Sequence, residues 1–227
     1  MARSKQTAVG GDTREALILA AERLIAKFGI DDVSLRQINT EAGQRNSSAA
    51  HYHFGSKDAL IRSIYEYRIG SVNSRRKALL DAVRADGREH DVRSLVATII
   101  QPIVDEIEGS SGGSFYIRFL SQAIGHPQAT ARDYFDNVLT DAALSAYELI
   151  KTALPDVREP VLGQRFGLMW EMIIHSLADR ERFRRPGANN DGIESERFVN
   201  NLIDVVAGGL AAPISGPTAQ TLTGRVG

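Results

Sequence analysis

Apolar residues recur along this chain at steps of three and four. Ala16, Leu17, Ala20, Ala21, Leu24, Ile25 and Phe28 follow that spacing, which predicts an amphipathic helix starting near Asp12, with Glu15 as a capping partner, and stopped by Gly29. A second helix starts at Ser34, where Gln37 three residues on completes a capping box and Val33 can staple against Ile38; Gly43 ends it. After the polar turn Gln44-Arg45-Asn46-Ser47, the segment Ser48 to Phe54 has room for about two turns of helix before Gly55. Ser56 then caps a fourth helix. Its stripe of Ala59, Leu60, Ile64, Tyr65, Ile69 and Val72 continues through Leu79, Leu80 and Val83, so it reads as a long connector.

Beyond Asp91 the pattern stays helical. Breaks at Gly109 to Gly113, at Gly125-His126-Pro127, around Pro155 to Pro160 and at Pro186 to Gly192 delimit five more helices. No run alternates with period two between turn signals, so a sheet is not expected. The expectation is an all-α chain of about nine helices. It divides into a flexible arm at 1–11, a tri-helical helix-turn-helix unit at 12–60, a larger helical domain at 61–212, and a disordered tail at 213–227 rich in Gly, Pro, Ser and Thr.

Composition narrows the classes. The longest apolar candidate, Leu202 to Ile214, contains Asp204 and falls short of the roughly 18 residues a membrane span needs. Residues 1–11 lack the apolar stretch of a secretory signal, and the chain has no cysteine for a disulfide frame or thiolate metal site; the expected location is cytoplasmic. The net charge of −1 is unevenly distributed: residues 1–77 carry 13 basic and 8 acidic groups, and residues 78–227 carry 14 and 20. A basic head on an acidic body suits a module that meets a polyanion.

The second short helix of the head supplies chemistry to match. Asn46, Ser47, Ser48, His51, Tyr52 and His53 offer hydrogen-bonding groups, Ala49 and Ala50 are small enough for close approach to base edges, and Arg45 and Lys57 flank the helix as phosphate partners. Tyr52 and His53 can equally be packed into the module. A metal site at His51 and His53 is disfavoured, because residues i and i+2 on a helix point about 200° apart. The basic run Arg75-Arg76-Lys77 on the connector reads as a solvated face, and Arg3 and Lys5 as part of a disordered arm.

Residues 12–65 resemble the tetracycline-repressor (TetR) family. The resemblance is carried by Ala20-Ala21-Glu22-Arg23-Leu24-Ile25-Ala26-Lys27-Phe28-Gly29, Val33-Ser34-Leu35-Arg36-Gln37-Ile38, Ala42-Gly43, and His51-Tyr52-His53-Phe54-Gly55-Ser56-Lys57-Asp58-Ala59-Leu60. Where the family's usual recognition helix has Gly-Thr-Leu-Tyr, this chain has Ser48-Ala49-Ala50-His51, and it is one residue longer between Gly43 and Phe54. The resemblance implies that Ser34 and Arg36 lie near the phosphate backbone, that residues 46–52 face the groove, and that Lys57 contacts a phosphate.

Residues 91–213 carry no Gly-rich phosphate loop, no Gly-x-Ser-x-Gly elbow and no His-Glu-x-x-His, so neither an enzyme nor a cofactor is expected. Phe115, Phe119, Tyr147, Phe166, Met169, Trp170 and Met172 read first as core; they could also line an apolar cavity in which His175 or Gln122 orients a ligand. The resemblance implies such an effector pocket. Phe198, Val199, Leu202, Ile203, Val205, Val206 and Leu210 cover most of the last long helix, which therefore needs a second partner. The family's usual answer is a two-fold contact of the last two helices, and a homodimer so formed would read a palindromic double-stranded DNA operator. The expected function is that of a transcriptional regulator, a repressor released by a small apolar or amphipathic effector. The rivals are a helical enzyme or carrier with an incidental helix-turn-helix, and a non-specific architectural DNA binder.

Overall fold

A computed structural model describes residues 4–109, 115–124, 126, 141–183 and 192–223; among them there are ten helices and no strand. The first three form the head: α1 (Ser4–Phe28), α2 (Leu35–Glu41) and α3 (Ala49–Phe54). Leu17, Ala20, Ala21 and Ile25 of α1 are buried as the periodicity predicts, together with Ile18. Phe28, expected on the same stripe, is 59% exposed. It lies in the last turn, where Gly29 at φ +87° swings the chain away. The helix also begins at Ser4, upstream of the expected start near Asp12, so much of the anticipated flexible arm is helical and Asp12 lies mid-helix. Gly10 and Gly11 weaken a helix by about 1 kcal/mol each relative to alanine without forbidding it. Arg3 falls outside the described residues.

The capping box of α2 forms as predicted. The Gln37 amide N–H donates to Ser34 Oγ at 3.3 Å, and the Ser34 N–H donates to Gln37 Oε1 at 2.7 Å. Ser56 caps α4 (Lys57–Ala85) through an N–H of Ala59, at 3.1 Å. This 29-residue helix leaves the head and runs into the body.

The body comprises α5 (Val92–Glu108), α6 (Tyr116–Ala123), α7 (Asp141–Ala153), α8 (Glu159–Phe183), α9 (Gly192–Ala211) and α10 (Gly216–Thr223). α4 packs on α5, α6 lies between α1 and α8, and α9 packs on α5 and α8. One apolar core runs through head and body, from Leu17 and Ile38 to Ile174 and Leu210. The last helix, α10, stands where a disordered tail is expected; Ser215 Oγ accepts the Thr218 N–H at its start, and Ile214 and Leu222 pack against the core. Gly224 to Gly227 lie outside the described residues.

Two expectations about surfaces change. The run Arg75-Arg76-Lys77 is no solvated face: Arg76 is 1% exposed and donates to Asn73 Oδ1, Arg75 reaches Glu106 of α5, and Lys77 alone of the three is exposed, paired with Asp81. Three consecutive helical positions span about 200°, so a run along the sequence cannot be one face. On α9, Val199, Leu202, Ile203, Val206 and Leu210 are buried within the chain, and of the seven apolar residues expected to cover this helix only Val205 is well exposed. Contact with both α5 and α8 covers most of the face for which the sequence predicts a second partner.

Candidate nucleic-acid interface

α2 and α3 meet at a turn that the backbone and one amide define. Gly43 takes φ +67°, a left-handed conformation that reverses the chain after Ala42. Asn39, buried on α2, bridges the turn: its Nδ2 donates to the Ser47 carbonyl at 2.6 Å, and its Oδ1 accepts the Ala50 N–H at 2.8 Å. The incoming residue of α3 is thus bound to α2 through a side chain that satisfies a donor and an acceptor at once. The pattern of apolar residues did not single out Asn39; its neighbour Ile38 marks the buried face, and Asn39 lies close enough to share it.

Held in this way, α2 and α3 present a contiguous polar surface. Ser34, Arg36, Arg45, Asn46, Ser47, Ser48, His51 and Tyr52 are all exposed. Asn46 Oδ1 accepts the Ser48 N–H at 2.9 Å and rounds off the entry to α3. Tyr52, which could have been core, is 85% exposed, with its ring edge-on to His53 at a centroid distance of 5.3 Å. Ala49 does not face outward: it is buried with Ala50 against the head, which is what lets a six-residue helix seat itself so closely. Lys57 is half-buried and donates to the Ile30 carbonyl, so it fastens the α1–α2 turn to the start of α4.

The residues expected around an effector fall into separate groups. Phe119 is fully buried with Tyr65 at 5.1 Å between ring centroids and Tyr116 at 6.5 Å, where α6 meets α4. Burial holds the Tyr116 hydroxyl well above the usual tyrosine range. Phe115, at the mouth of α6, is half-buried under the cations of Lys27, Arg118 and Arg23 at 5.3, 5.8 and 6.0 Å. Tyr147, Phe166 and Trp170 form a second aromatic group, packed edge to face between α7 and α8, with centroid separations of 4.8 and 6.3 Å. His175 belongs to neither: it is exposed on α8 and paired with Glu171 one turn back, at 3.3 Å. The periodicity of α8 sets His175 five residues beyond Trp170 and so on the opposite side of the helix. Gln122 points toward the backbone of Gly29, with Oε1 3.6 Å from where a β-carbon would stand.

A three-helix head that exposes a short polar helix, joined through one long helix to an all-helical body, defines a helix-turn-helix DNA-binding regulator. Comparison with known proteins agrees. Residues 17–64 match the family model of bacterial regulatory proteins, tetR family, and residues 97–209 match that of the tetracyclin repressor-like C-terminal domain. Together they span well over half of the chain, which therefore belongs to the TetR family and is a DNA-binding transcriptional regulator. Among solved structures, a Mesorhizobium loti protein provisionally assigned to the TetR-family transcriptional regulators has the same fold, with a TM-score of 0.50 at 16% identity over 87% of this chain and 96% of its own. A search of curated protein sequences gave no match.

Proposed function

We propose that the protein is a cytoplasmic, non-enzymatic repressor that binds a palindromic operator as a homodimer and leaves it when a small apolar or amphipathic effector binds the body. The observation that carries this reading is the exposed polar surface of α2 and α3, whose turn Asn39 bridges and which none of the other described residues covers. Arg36 and Arg45 are exposed there and engage no carboxylate among the described residues. Arg45, Asn46, Ser47, Ser48, His51 and Tyr52 are the proposed groove-facing set, with Ser34, Arg36 and Lys57 toward the phosphates. For Lys57 this means exchanging the Ile30 carbonyl for a phosphate oxygen on binding.

The proposed dimer face is the outer side of α8 and α9. Leu168 and Val205 are exposed there, 69% and 50%, beside Gly163, Gly167, Gly208 and Gly209, whose α-carbons have no neighbour within reach of a β-carbon. Small residues flanking two exposed apolar ones suit the close approach of a second pair of helices. Two heads related by that axis would read half-sites about 34 Å apart. In the body, Phe119 with Phe115 and the Tyr147, Phe166 and Trp170 chain are the proposed effector contacts, and aromatic surfaces of this kind favour an apolar ligand body.

The test uses the duplex recovered by selection from a random pool. Arg45→Ala and His51→Ala should each weaken binding by about tenfold or more, equivalent to roughly 1.4 kcal/mol, with the dimer intact by analytical ultracentrifugation. If Arg45 meets a phosphate, its loss also lowers the log–log salt slope by about 0.9. Unchanged affinity in both variants would remove α3 as the reading element.

A further inference from the structure

Three largely buried charged side chains meet where α1, α4 and α5 come together. Arg68 of α4 lays its Nε and one Nη against the two carboxylate oxygens of Glu22 on α1, at 2.8 and 3.0 Å, and its other Nη donates to Glu106 of α5 at 3.1 Å. The second oxygen of Glu106 accepts from Ser71 Oγ and, at 3.2 Å, from Arg75. The Arg68 side chain is 12% exposed, Glu106 10% and Glu22 3%. Burial pulls the Arg68 guanidinium down, but the hydrogen bonds and charges of Glu22 and Glu106 outweigh it and hold the group above its ordinary range, so the guanidinium stays charged.

A buried ionic cluster is a poor device for stability alone, since well-packed apolar side chains of the same volume do as well with less desolvation. What a guanidinium forked on a carboxylate adds is geometry. Two parallel hydrogen bonds fix both distance and rotation, whereas alanine and isoleucine ridges tolerate sliding. The place matters too. Glu22 lies on the helix against which α2 and α3 pack, Glu106 lies in the body, and α4 is the element that passes from one to the other. On the head side α4 is tied to α1 by Arg14 with Ser63 and by Tyr67 with Glu15; on the body side it is tied to α5 by Ser71 and Arg75. Arg68 bonds both ways. A second fastening runs from α6, where Arg118 donates to the Ala26 carbonyl at 3.2 Å and His126 meets Asp31 at 3.1 Å.

We propose that Arg68 is a positioning residue for DNA reading: its fork on Glu22 and its bond to Glu106 set the angle between head and body, and so the separation of the two recognition helices. This rests on the dimeric reading above. A change of one base pair in half-site spacing displaces a half-site by about 3.4 Å and rotates it by about 35°. A stiff junction rejects that error, and a loosened one accommodates it.

The experiment measures fluorescence anisotropy on the selected palindrome, on versions with one or two base pairs inserted or removed at its centre, and on a single half-site. Wild type should prefer its own spacing by about tenfold or more. Arg68→Met should reduce that preference to about twofold while half-site binding stays within about twofold of wild type. Arg68→Lys, which keeps the charge and loses the fork, should move in the same direction, and carries the test if the methionine variant does not fold by circular dichroism. Arg84→Met removes an exposed cation of the same helix and should leave the spacing profile as it is. Two results overturn the proposal: a spacing preference that survives in both Arg68 variants, or a loss of affinity equal on half-site and full site, which is the mark of a purely structural role. Failure of wild type to distinguish the palindrome from scrambled duplex overturns the dimeric reading itself, and the inference with it.

Discussion

Asn39 shows how much of the reading head depends on one amide. Replacing it by alanine leaves the Ser47 carbonyl and the Ala50 N–H without their partner on the side of α3 that Ala49 and Ala50 bury, and should cost about 1–3 kcal/mol in urea denaturation and weaken DNA binding with it. A variant as stable as wild type would show that water replaces the amide. At the other end of the molecule, Tyr147 sets a pH dependence. Its hydroxyl is pushed up to about 12 by burial and by donating to Glu159 at 2.6 Å. A group whose folded value lies above its unfolded value of 10.0 contributes stability that is complete below pH 10 and lost as pH rises toward 12. Tyr147→Phe should therefore flatten part of the fall in Tm across that alkaline interval; an identical profile would contradict the assignment. Single residues were the least legible level of the sequence. Ala49 and Ala50 look alike as small groove-facing residues, yet both are buried, and His175 looked like a ligand-orienting group until the turn of α8 carried it to the surface. Which side of a helix a residue takes depends on neighbours that only tertiary packing supplies.

Helices were far more legible, because periodicity and capping are local. Ser34 with Gln37, Ser56, Gly29, Gly43 and Gly55 all mark the boundaries that the chain adopts. The capping box invites a direct check: Ser34→Ala should lower stability by about 1 kcal/mol, read as a shift in the urea midpoint at constant m-value. No shift would mean that solvent caps α2 as well as the serine does. Two elements were misjudged for reasons of the same kind. The arm at 1–11 is expected to be flexible and the Gly-, Pro-, Ser- and Thr-rich tail disordered, but the glycines of the arm only penalise a helix, and packing of Ile214 and Leu222 gives α10 a reason to form. The connector α4 was visible as a long amphipathic helix, while Glu22, Arg68 and Glu106 were not, since nothing in the sequence spacing brings α1, α4 and α5 to one point.

At the scale of the molecule the family models match one stretch within the reading head and another within the helical body, whereas the positive excess of residues 1–77 comes from the leading arm and α4, since residues 12–60 carry 6 basic and 7 acidic groups. Long-range packing decided the rest: α9 gives most of its apolar surface to α5 and α8, and Leu168, Val205 and the neighbouring glycines make up the narrower face proposed for a partner. Leu168→Arg should convert the dimer to monomer in sedimentation equilibrium and reduce operator affinity by about a hundredfold or more, because two linked heads bind with an avidity that one lacks. A dimer unaffected by the charge would move the interface elsewhere. Among the described residues no single helix is long and apolar enough to cross a membrane. The central claim, that two copies of this head read one DNA sequence, is tested most directly by selecting bound duplexes from a random pool at physiological salt with the purified protein. The account predicts recovery of one palindromic motif with half-sites about one helical turn apart; recovery of no motif above background, with binding that depends on salt and not on sequence, would contradict it.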